Sequence, residues 1–358
     1  MEPPTPEAAF EVPMAAVGPL AERLDLACSP LSPLGFLLAH AGGVAPPDAP
    51  DPRLRDALAA LLQPAAVTTI RLADAAGATS WRALAISHAA LAGGAVVASP
   101  AGPSLRIERF ASPADAAASV APALFTAVVR PSSAPLPREW PVGAFVDTFH
   151  ALDRYRRGYL EAALAGIPLG DLAVRARELV ATLDVAAASD DHRWLLPAFL
   201  HLTPGVRAVD VATGATQLGR LLSAGVFRGP EGSHDDPVVR FGEVGRALGL
   251  EYARGWWGAA GVAHDILLAD GVHAMHRGFV AATALANHWF TLRDGADGTA
   301  LLEHAALSGD EAGARLAGLL AEADAVTAAA GWRACPRCGR SVTLGAARCG
   351  VCGQMLAG

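Results

Sequence analysis

The chain has 358 residues and a net charge of −7, and all 28 of its basic side chains are Arg, because the sequence contains no Lys. That absence excludes a Walker-type phosphate lysine, a pyridoxal-phosphate Schiff base and a kinase-type ATP lysine. The length accommodates two domains and a small module, and the acidic balance excludes a general polyanion binder.

Residues 1–20 begin Met1-Glu-Pro-Pro, acidic and proline-rich where a secretory signal needs a basic start. They read as a loose leader on a cytoplasmic protein. A Pro/Asp-rich turn at 45–53 feeds a helix over Arg53–Leu62 that Pro64 ends. Val67–Leu72, Trp81–Ser87 and Ala95–Ala98 read as strands. After the turn Ser99-Pro-Ala-Gly-Pro103, Leu105–Phe110 alternates apolar and charged residues, as a half-buried strand does. Ser112-Pro-Ala-Asp115 carries a cap, a proline at the first helical position and an acid two residues on, which predicts a helix to about Val128. The uncharged stretch Ala83–Leu105 is broken by Gly and Pro, so no membrane span is expected.

Pro131–Pro137 marks a linker, placed at 131–141. Beyond it Val142–Ala165, Leu169–Leu183 and His192–Leu202 have helical spacing. Thr216–Phe227 reads as a helix followed by a turn, and 227–237 as a loop. His276–Ala281, His288–Leu292 and Thr299–Ala306 read as strands, and Ser308-Gly-Asp-Glu311 opens a helix to about Val326. Shifted by 195 residues, Ala95–Ala98 falls on Phe290–Arg293 and Glu108 on Glu303; one further residue brings Ser112 onto Ser308 and Asp115 onto Glu311. The same order of strands, turn and capped helix thus occurs twice. The fold class expected is α/β (α+β): two similar sheet-plus-helix halves at 21–130 and 227–330, joined through the linker by a helical segment at 142–226. A module at 331–358 follows.

That module holds the clearest motif. Cys335-Pro-Arg-Cys338-Gly and Cys349-Gly-Val-Cys352-Gly are two C-x₂-C knuckles, each bending its backbone so that both sulfurs meet one metal. Four thiolates favour Zn²⁺, with iron the competitor, and a closed shell makes the site structural. Residues 332–356 resemble the short zinc-ribbon modules found at the ends of bacterial proteins, which implies a rigid surface for a protein partner. The four Arg at 333, 337, 340 and 348 are too few to make nucleic acid the expected partner, although a nucleic-acid-associated regulator acting through the ribbon is one alternative.

His264, Asp265, His273 and His276, with Asp270 among them, offer a second alternative, a metal-assisted hydrolase. Their spacing fits no metal motif, and helix-surface or satisfied core histidines are the preferred account of them. Ser233-His-Asp-Asp236 and Asp190-Asp-His192 read as helix caps, Cys28 as an idle thiol, and Trp256-Trp257 and Trp289-Phe290 as core anchors. No catalytic residue is assigned in the body.

Asp51-Pro-Arg-Leu54 through Pro64, then Thr69-Ile-Arg-Leu72, a strand pair and the Ser112-Pro-x-Asp helix, resembles the EspG family of type VII (ESX) secretion chaperones. The resemblance covers about 20–325. It implies two similar α/β halves, and a non-enzymatic, cytosolic role in holding the apolar tip of a secreted helical substrate.

Overall fold

Caps and prolines start the helices. Asp51 accepts the backbone N–H of Arg53 and precedes a proline, opening α3 (Pro52–Leu62). Ser112 does the same for α4 (Pro113–Leu124). Ser308 and Glu311 form a reciprocal capping box at α10 (Gly309–Ala330), each accepting the other's backbone N–H. In the computed structural model of the protein the described residues are 4–38, 51–87, 94–206, 215–231, 237–268, 271–337, 341–344, 348–349 and 354–356. The shorter elements at the start are β1 (Ala8–Pro13), α1 (Val17–Arg23) and α2 (Gly35–Leu38).

One ten-stranded sheet organises the body. Its first half is β2 (Pro64–Asp74), β3 (Thr79–Ser87), β4 (Ala95–Ala101) and β5 (Ser104–Phe110), an antiparallel meander. Its second half is β10 (Trp256–Leu268), β11 (Gly271–Thr283), β12 (Asn287–Asp294) and β13 (Ala300–Leu307), also an antiparallel meander. The halves meet where β2 pairs with β10, from Asp74 opposite Gly258 to Ala66 opposite Ile266. The outermost strands are β1, on β5, and β6 (Glu139–Pro141), on β13. From either edge the order is therefore one short strand followed by a four-strand meander taken backwards.

Three apolar layers fill the space around this sheet. On one face α4 and α10 together cover both halves, burying Ile70, Leu84, Val97, Val262, Val280 and Trp289. On the other, α1 and α3 cover the first half. The second half is covered there by α5 (Val142–Ala165), α7 (Leu195–Leu202) and α9 (Glu243–Gly255), around Phe145, Phe149, Phe199, Phe279 and Phe290. Between α5 and α9 the chain also forms α6 (Ala176–Ala187), α8 (Ala215–Ser223) and a separate three-stranded sheet of β7 (Ala173–Arg175), β9 (Val238–Phe241) and β8 (Phe227–Glu231).

The topology agrees with the two-half reading and corrects its details. Ala95 and Trp289 both face the α4/α10 layer while Phe290 faces away, so β4 matches β12 one residue out of step with the sequence offset. Glu108 stands opposite Val97 and Glu303 opposite Thr291, equivalent places in the two halves. Residues 1–20 are not a loose leader throughout: the apolar face of β1 and α1, with Val12, Val17 and Leu20, is buried against the first half. The 131–141 linker is packed too, with Leu136 in the core and β6 extending the sheet. β9 pairs with both β7 and β8, so residues 227–231 and 238–241 belong with the middle segment. Residues 261–268 and 271–278 lie on the antiparallel strands β10 and β11, so His264 and His276 are core residues of strands and not helix-surface ones. Residues 233–236 lie outside the described residues. No helix among the described residues is long and apolar enough to cross a membrane.

Candidate functional site

The C-terminal module begins where Gly331, in a left-handed conformation, ends α10. A hairpin follows, β14 (Trp332–Ala334) against β15 (Ser341–Thr343). Cys335 lies just after β14. Cys349 follows an isolated bridge between Arg348 and Met355, and its N–H donates to the Gln354 carbonyl at 2.8 Å. One cysteine from each knuckle is thus buried in the same small cluster, with Val342 and Leu356. Cys338 and Cys352 lie outside the described residues. Two soft donors from separate knuckles, sharing a core of four side chains, fit a tetrathiolate centre.

His264, Asp265, His273 and His276 do not converge. His264 and His276 stand opposite each other on β10 and β11, buried on the face covered by α4 and α10, with His264 Nδ1 2.7 Å from Thr68 Oγ1. Asp265 is paired with Arg277, and His273 stands opposite Ile266. Among the described residues no three His, Cys, Asp or Glu side chains come together as a metal site.

A different polar chain lies on the other face of the second half. Glu251 of α9 accepts from Thr283 at 2.5 Å and from His288 Nε2 at 2.9 Å, while His288 Nδ1 lies 3.1 Å from His304 Nε2. All four side chains are buried. Burial alone would raise the Glu251 carboxyl; the hydrogen bond and charge of His288 outweigh it and hold it below the usual range. Burial pushes His304 down to about 3. Nothing in the sequence announced this chain, because its members are far apart and set among apolar residues. With no exposed member it ties α9 to β12 and β13, and no substrate in solution reaches it. The first half has a surface counterpart: Asp56, on the helix that precedes its meander, lies 3.9 Å from Arg109 of β5.

Buried titratable groups set the pH response. Burial pushes His150, His264 and His276 down to about 4 and His304 to about 3, so the unfolded chain takes up protons below about pH 6.5 while the folded chain does not. Burial also pushes Asp147 and Asp153 up to about 7, which favours the folded chain as pH falls. Asp153 caps α7, accepting the N–H groups of Leu195 and Leu196. Four imidazoles outweigh two carboxyls, so unfolding near pH 5 takes up roughly one to two protons net. Stability is expected to fall by about 1.4 kcal/mol per pH unit for each. Urea midpoints measured from pH 7 to pH 5 should decline; a flat or rising profile contradicts the burial of these histidines.

The accessible surface offers a different kind of feature. α5 spans 24 residues, about 36 Å, and only its first half is buried against the sheet. Its far end closes on Gly166, left-handed at φ +65°, with Ile167 N–H returning to the Ala162 carbonyl, a Schellman-type stop. Leu160 and Leu164, one turn apart at the end of the helix, and Ile167, just past the Gly166 stop, stay exposed, Leu164 at 89% and Ile167 at 61%. α6 runs back along α5, held by Thr182 on His150 Nε2 and by Glu178 on Arg154, and exposes Val180 and Val185. Trp289 and Phe290 are core anchors as expected, but Trp257 is more than half exposed.

Against known proteins the chain stands apart in sequence. No family model and no curated protein matches it. Among solved structures it is similar to the type VII secretion system chaperone EspG5 of Mycobacterium tuberculosis, solved in complex with a PE25–PPE41 dimer. The identity is 11% and the TM-score 0.42, over 87% of this chain and 96% of that one.

Proposed function

We propose that this protein is a non-enzymatic, chaperone-like adaptor that shields an apolar helical segment of another protein, and that its C-terminal ribbon is held by one structural Zn²⁺. The observation that carries the reading is the exposed pair Leu160 and Leu164 on the projecting end of α5, with Ile167 exposed just beyond it. Apolar residues one turn apart, as Leu160 and Leu164 are, form a face with which one helix packs on another, and leaving them in water costs roughly 1.5–3 kcal/mol per side chain relative to burial. The EspG-like sequence pattern implies the same role.

For the ribbon, Cys335, Cys338, Cys349 and Cys352 would hold the ion; Cys335 and Cys349, buried together, support this. Bound Zn²⁺ supplies cross-linking and no reaction, and its binding, about 10–16 kcal/mol in comparable modules, is folding energy for a hairpin with so few apolar residues. Chelation is expected to release one Zn per chain and expose four thiols while the thermal unfolding of the body persists. Release of no zinc, or collapse of the whole chain, contradicts a separate ribbon.

The adaptor reading is tested by affinity isolation of the tagged full-length protein from its host, alongside a Leu164→Glu/Ile167→Glu variant. Both side chains are solvent-exposed, so the variant keeps its fold. Wild type is expected to retain a partner in stoichiometric amount, and the variant to lose it. Equal retention by both, or turnover of substrate by the purified protein, overturns the reading.

A further inference from the structure

One buried charge in the C-terminal module has no acidic side chain to balance it. Residues 331–358 contain four Arg and neither Asp nor Glu. Arg333 is the middle residue of β14, and its Nε and Nη2 are buried with no hydrogen-bond partner among the described residues. An arginine does not lose its proton in a protein, so burial leaves it charged. Buried polar atoms in folded proteins are nearly always bonded, and two on one side chain call for an acceptor. These two form one edge of the guanidinium, the fork with which Arg193 holds Asp191 and Arg53 holds Asp51. The acceptor that fits is negatively charged.

The hairpin places that fork beside the cysteines. Arg333 stands opposite Val342, and directly opposed residues share a face of the pair. Val342 packs with Cys335, Cys349 and Leu356. Cys335 follows Arg333 by two residues, a step of about 7 Å that an extended arginine spans. Arg333 thus leaves β14 on the side where one cysteine of each knuckle is gathered. With no carboxylate side chain in the module, thiolates are the anions within its reach.

We propose that Arg333 is a positioning residue of the tetrathiolate centre, donating Nε–H and Nη2–H to thiolate sulfurs. The inference rests on the zinc-ribbon reading above and adds to it a residue that retains the ion. Four thiolates around one Zn²⁺ leave an excess of negative charge, which burial makes costly. The guanidinium offsets that charge, orients the sulfurs and makes them poorer nucleophiles. Zinc is therefore held more tightly than the four cysteines alone would hold it.

The test uses the full-length protein. Zinc affinity is measured by competition with a chromophoric chelator, and the centre is read by absorption after cobalt substitution. Arg333→Gln is expected to weaken zinc binding roughly 10–100-fold. Its cobalt spectrum should stay tetrahedral while the thiolate-to-cobalt charge-transfer band moves to longer wavelength, because the sulfurs lose their hydrogen bonds. Arg333→Lys restores the charge without the fork and is expected to recover part of the affinity. Arg337→Gln removes the same charge from an exposed position and is expected to change neither reading. Unchanged affinity with an unshifted band in Arg333→Gln overturns the proposal, as does an equal loss in Arg337→Gln. If Arg333→Gln takes up no metal at all, an Arg333→Lys variant that is equally empty overturns it too. A wild type that binds no metal on four sulfurs fails the ribbon reading itself; a loaded wild type matched by Arg333→Gln removes this proposal alone.

Discussion

Replacing His288 by Ala is expected to destabilise the protein by about 3–5 kcal/mol, because it leaves the Glu251 carboxylate buried with no cation and only the Thr283 and Ser133 hydroxyls to satisfy it. The penalty arises from the orphaned charge more than from lost attraction. Adding Glu251→Gln to His288→Ala should therefore recover part of the loss, although the double variant carries one more substitution. Urea unfolding of the two single variants and the double variant forms a cycle that separates these contributions. Additive losses would mean that Glu251 and His288 do not act as a pair. His304 belongs to the same chain: held neutral by burial, it shares a proton with His288 Nδ1 without competing for the carboxylate.

The second large effect is expected at Gly261. A Cβ there would stand 1.7 Å from the Leu202 carbonyl oxygen and 2.3 Å from its carbon, both backbone atoms at the end of α7. No rotamer relieves that overlap, so α7 must lift from β10 and surrender the burial of Phe199 and Leu202. Gly261→Ala is expected to cost about 3 kcal/mol or more, at or beyond the top of the usual overpacking range. Gly318→Ala is the matched control. It lies in α10 with open space around it and is expected to gain up to about 1 kcal/mol. Comparable melting temperatures for the two variants would contradict the close packing of α7 on β10.

How much of this was legible follows from where the specifying chemistry lies. α5 matches its reading from Val142 to Ala165 because a proline precedes it and Gly166 ends it. α3, α4 and α10 follow their caps. β10 escaped because Trp256–Leu268 is rich in Gly and Ala and buried on both faces, so no alternation shows. β1 escaped because flanking prolines disguised a short edge strand. The symmetry of the sheet was visible in its second half through the Ser308–Glu311 box, and it blurred where one half carries a one-residue longer turn. The cysteine motif is read from spacing alone, and the described residues place two of its four members, Cys335 and Cys349, in one small cluster. The aliphatic stripe did not, because spacing cannot tell a packed helix face from an exposed one; Leu160 and Leu152 look alike in sequence and differ only in what covers them.

The claim that the far end of α5 seats a partner is tested most directly by hydrogen–deuterium exchange of the protein, free and in complex with the partner isolated from its host. Backbone amides of residues 160–167 are expected to exchange fast in the free protein and to be protected in the complex. Protection confined to other surfaces, with 160–167 unchanged, would contradict the account.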